Sequence, residues 1–136
     1  MKKLLIPLLL FGFLIAPFVK AETVLYCQTE FVEGWIKNND SWRIANFRKD
    51  DRYTIKFNND FSRLEGITYN AMDCSVPYKA KPNQIFCVLL LGSHETFIYH
   101  KTTQRFVFAN LSTGGYSLNS ENADSESMEA GTCKEF

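Results

Sequence analysis

Ile85-Phe86-Cys87-Val88-Leu89-Leu90-Leu91 is an unbroken apolar run of strand length. A helix or a half-wet strand would show a period; a short continuous run without one reads as a strand buried on both faces. The segment 96–110 has the same character. Folded about Lys101-Thr102-Thr103-Gln104, it places Phe97 opposite Phe108 and Tyr99 opposite Phe106, with Ile98 opposite Val107 on the other face and His100 meeting Arg105. Aromatic cross-strand pairs stabilise by roughly 0.2–1 kcal/mol each. A single flat sheet cannot cover two apolar faces in a chain of this size, so the sheet must curl into a barrel or pack in two layers.

No internal repeat, heptad or sustained helical period is present. Runs rich in Val, Ile, Phe, Tyr and Thr recur between clusters of Asn, Asp, Gly and Pro, which predicts strands near 24–32, 42–48, 53–58, 61–69, 85–91, 96–100, 105–110 and 127–134, with shorter ones at 35–37 and 116–118. Asn38-Asn39-Asp40-Ser41 and Asn58-Asn59-Asp60 hold residue types that accept left-handed backbone and cap their own turns. At the second turn a three-residue loop would pair Phe57 with Phe61 and a two-residue loop Ile55 with Leu64, and Gly66 would mark a bulge. The polar, acidic stretch 119–126 reads as a mobile loop. The fold class that follows is all-β: a small antiparallel β-barrel or β-sandwich of about eight strands.

Residues 1–21 differ from the rest. Lys2 and Lys3 precede the apolar run Leu4 to Val19, and Val19-Lys20-Ala21 supplies a small-x-small boundary, the pattern of a secretory signal peptide cut after Ala21. Pro7, Gly12 and Pro17 interrupt the run, and a bilayer-spanning helix needs about 20 apolar residues, so no stable membrane anchor is expected after cleavage. What remains, 22–136, has the size of a single domain, with 12 basic against 15 acidic residues and 17 aromatics. That balance excludes an extended basic surface for nucleic acid, and the aromatic content excludes disorder over most of the chain.

Cys27, Cys74, Cys87 and Cys133 make an even set in a short exported chain, which reads as two disulfides and a periplasmic or secreted location. Zinc is disfavoured because the closest pair has twelve residues between its cysteines, not the spacing of a C-x2-4-C knuckle. Three connectivities are possible; the expected one is Cys74–Cys87, because Pro77, Pro82 and Asn83 turn the chain between them, with Cys27–Cys133 tying the start of the domain to its end, and the crossed pairings stay open.

Catalytic patterns are absent. His94 and His100 lie roughly 20 Å apart if they share a strand, and Ser93 and His94 would face opposite sides of it. Asn58-x-Asp60-x-Ser62 opens like a calcium loop but has Arg63 and Tyr69 where Gly and Glu are required. Gly114-Gly115 lacks the lysine of a phosphate loop. Hence no catalytic, metal or cofactor residue is assigned. Trp35 and Trp42 flank the 38–41 turn; large rings in that position more often close the end of a core, and the alternative is a contact surface, which makes these two the candidate site residues. The leading functional expectation is a non-catalytic binding protein meeting an unknown protein or envelope component. Its alternatives are a lipocalin-like carrier of a small apolar ligand and a hydrolase using dispersed carboxylates.

Overall fold

The computed structural model describes residues 21–39, 41–47, 51–89, 93–112, 115–116 and 124–136. They form nine strands: β1 (Thr23–Asn38), β2 (Ser41–Ala45), β3 (Arg52–Phe57), β4 (Arg63–Glu65), β5 (Met72–Ser75), β6 (Gln84–Leu89), β7 (Ser93–His100), β8 (Arg105–Ser112) and β9 (Glu126–Glu135). All pairings are antiparallel. The sheet runs β1-β3-β4-β5-β6-β7-β8-β9, and β9 returns to β1, so eight strands close into a barrel. Of the two layouts expected for an all-β chain, the barrel is the one formed.

β1 is the frame. Its first residues pair with β3 from Thr23↔Phe57 to Gln28↔Arg52, and its last with β2 from Gly34↔Ala45 to Asn38↔Ser41. Its other edge follows β9 from Leu25↔Glu135 to Trp35↔Glu126. A bulge between Thr29 and Phe31 switches parity. Before it Leu25, Cys27 and Thr29 are buried; after it Val32 is buried while Phe31 and Trp35 face out. β2 extends beyond the ring as the second arm of a hairpin whose tip carries Asn39 at φ 53°.

Rings fill the interior. Phe57, Phe97 and Phe106 are completely buried. Phe57 stacks on Tyr99 at 5.8 Å, Phe97 on Phe106 at 5.5 Å, and Tyr53 meets the edges of Phe106 and Phe108 at 6.4 Å each. Each aromatic removes some 150–250 Å² from water, so a few of them close a small barrel. The β7–β8 hairpin has the expected register at all four named pairs. Both disulfides join residues directly opposite one another: Cys27–Cys133 across the closing β1–β9 seam and Cys74–Cys87 across β5 and β6.

Five expectations are corrected. β1 runs unbroken through Glu33 and Gly34, so the predicted segments 24–32 and 35–37 are one strand. β5 was not expected; Met72-Asp73-Cys74-Ser75 is short and polar on its outer face, and only pairing with β4 and β6 makes it a strand. Phe57 pairs with Leu64, in place of Phe61, and Ile55 pairs with Leu25. Asn58 lengthens this turn by accepting from the Arg63 amide (3.0 Å) and donating to Ser62 Oγ (2.9 Å), with Phe61 in left-handed backbone at φ 58°. Gly66 follows β4 with φ 99°, where a side chain would strike the Thr54 carbonyl; it reverses the chain and is not a bulge. Finally, Glu126 is buried as the first residue of β9 and does not belong to a mobile loop. Residues 1–20, 117–118 and 119–123, on which the signal peptide, part of the 116–118 strand and most of that loop were placed, lie outside the described residues.

Candidate functional site

The β1–β2 register brings the two tryptophans to one face. Trp42 pairs with Lys37 and Trp35 with Ile44, and side chains two apart along a strand share a side, so Trp35, Trp42 and Ile44 all look outward. They line an open depression of about 410 Å³ together with Arg43 and Tyr116. Ile44 is 84% exposed and Tyr116 60%, large apolar surfaces that a monomer normally covers. Trp42 and Tyr116 meet edge to face with centroids 5.3 Å apart.

Tyr116 is held there by Glu126. By register Glu126 lies opposite Trp35 and shares the outward parity of Met128, yet it is buried because Gly115 and Tyr116 fold over it. The Tyr116 amide donates to Glu126 Oε1 at 3.1 Å. At Gly115 any side chain would enter the space the carboxylate fills. Trp35 and Trp42 were readable from sequence as residues flanking a turn. Tyr116 and Glu126 were not, because nothing local marks a contact made across ten residues.

A second carboxylate points the other way. Glu129 faces the barrel interior, where Tyr53 donates to its Oε2 at 2.7 Å and Thr29 at 3.0 Å. Burial, then the bond to Glu129, raises the Tyr53 phenol above its ordinary range. Being three residues apart on β9, Glu126 and Glu129 project to opposite faces and do not converge on a shared substrate position. His94 and His100 share β7 as expected; His94 is exposed, and His100 Nδ1 accepts from the Thr103 amide at 3.3 Å to shape the hairpin turn. Among the described residues no group of three His, Cys, Asp or Glu is placed to hold a metal ion. Nor, among them, is any helix long and apolar enough to cross a membrane.

No protein-family model, curated protein or solved structure matches the chain. The fold defines it as a closed, disulfide-bonded eight-stranded antiparallel barrel, and the geometry of its wall alone carries the functional reading.

Proposed function

We propose that this is an exported, non-catalytic binding domain of the cell envelope or extracellular space, recognising a protein partner through the Trp35–Trp42–Ile44–Tyr116 depression. The carrying observation is that two tryptophans, a tyrosine, an isoleucine and an arginine line one open hollow. Trp, Tyr and Arg are the side chains that dominate binding energy at protein interfaces. A carrier would need interior space that Phe57, Phe97 and Phe106 occupy, and a hydrolase would need carboxylates that converge. Two disulfides agree with an oxidising compartment, and the 1–21 segment supplies the export signal.

A photo-crosslinking residue placed at Ile44 and, as a control, at exposed Tyr69 tests this in the native host. A discrete protein adduct from position 44, absent from position 69 and lost in Trp35→Ala, is expected. Equal labelling from both positions, or a lipid co-purifying with the native protein, overturns it.

A further inference from the structure

The outer wall carries a second apolar area, one row along β1 and β9 from Trp35 and Glu126. On the face shared by β1, β9 and β8, Phe31 is 65% exposed and Met128 58%, with half-buried Ala130 and Val107 beside them. Two adjoining hollows of about 210 and 440 Å³ share Phe31, Val107 and Ala130. One reaches Glu33 and the other Arg105.

The register fixes where those charges stand. Phe31 pairs with Ala130 and Ala130 with Val107, making one apolar row across three strands. Glu33 pairs with Met128, one row to one side, and Arg105 with Thr132, one row to the other. Ala130 on the central strand is thus midway between an exposed acid on β1 and an exposed base on β8. We infer that this wall is a homodimer interface, with a two-fold axis running along the outside of the wall over Ala130, perpendicular to the line from Glu33 to Arg105. Such an axis exchanges Glu33 with Arg105. Each protomer's Glu33 then faces its partner's Arg105 on either side of an apolar centre, the self-complementary arrangement an isologous contact requires. Glu30 is turned toward Thr132 Oγ1 (2.9 Å), which keeps that carboxylate on its own wall. A lipid surface fits less well: the wall carries the Glu33 carboxylate beside its apolar centre, which anionic headgroups repel. None of the variants below replaces a residue that lines the Trp35–Trp42–Ile44–Tyr116 depression.

Three strands' width is a small interface, so a weak, roughly micromolar dimer is expected. Sedimentation equilibrium of the disulfide-bonded protein from its own host should show a concentration-dependent monomer–dimer mixture. Phe31→Glu should leave monomer only. Glu33→Lys or Arg105→Glu should each weaken the dimer about tenfold or more, and the two together should restore it. Circular dichroism of each variant checks that the barrel persists. A monomer at every concentration, or a dimer indifferent to these changes, overturns the inference. So does Phe31-dependent binding of the monomer to phosphatidylglycerol vesicles, which would assign the wall to lipid.

Discussion

Tyr53 on β3 and Glu129 on β9 meet inside the barrel across the intervening β1, the phenol donating to Oε2 at 2.7 Å while Thr29 of β1 donates to the same oxygen at 3.0 Å. Three strands are thereby joined by side chains at a level where the surrounding wall is apolar. A buried acceptor that loses a donor keeps its desolvation cost. Tyr53→Phe should therefore destabilise by about 1–3 kcal/mol at neutral pH, measured by urea unfolding.

The same tyrosine sets an alkaline limit. Its folded pKa is raised above the ordinary 10.0, first by burial and then by Glu129. The stability it contributes is complete below pH 10.0 and falls as pH rises beyond, because the unfolded chain releases the proton first. Tyr99 is shifted the same way, by burial and then Glu135. Unfolding midpoints should decline above about pH 10, and Tyr53→Phe should make that decline shallower.

Asp60 acts at the other extreme. The Ser62 hydroxyl and amide hold its carboxyl below the ordinary 3.8. Its contribution is present above that value and is lost as pH falls through the lower folded one. Asp60→Ala should lower the denaturation midpoint at pH 6, and the gap from the unaltered protein should close once the buffer is acidic enough to protonate the folded carboxyl.

Much of the fold could be read from residues that carry their own partners. The β7–β8 register followed from folding 96–110 symmetrically about Lys101-Thr102-Thr103-Gln104, a turn marked by its own residues. A turn rich in Pro pointed to Cys74–Cys87, and of the three connectivities open in the sequence the structure forms the expected one. What escaped depends on partners the strand pattern does not mark: β5 is a strand through its neighbours, the Phe57↔Leu64 register is set by Asn58 reaching four and five residues on to Ser62 and Arg63, and Glu129 finds Tyr53 across 76 residues. At the candidate site the two tryptophans were visible and their clamp was not.

That clamp is testable alone. Glu126→Ala removes the acceptor that holds the Tyr116 amide and should let the ring leave Trp42. A red shift and altered intensity of tryptophan emission, with unchanged far-ultraviolet circular dichroism, is the expected readout. Unaltered emission would show that Tyr116 is placed by other contacts.

The two disulfides should differ in weight. Cys27–Cys133 closes a separation of 106 residues and Cys74–Cys87 one of 13. Chain-entropy estimates give about 4.7 kcal/mol for a 100-residue loop and about 3 for a 15-residue one. Replacing Cys27 and Cys133 by alanine should cost roughly 1–2 kcal/mol more than replacing Cys74 and Cys87, read from denaturant midpoints of the two double variants.

The seam cystine also governs how the molecule bears a load. Phe136 lies beside Tyr26 and its amide donates to the Val24 carbonyl, so both ends of the domain leave from one rim, just outside the Cys27–Cys133 bridge. A pull applied at Glu22 and Phe136 is carried straight across that bridge, and the 105 residues between its cysteines feel none of it. Only the few residues outside the bridge can pay out as slack. While oxidised, the barrel is a nearly inextensible link; reduced, the same pull opens it strand by strand from the seam.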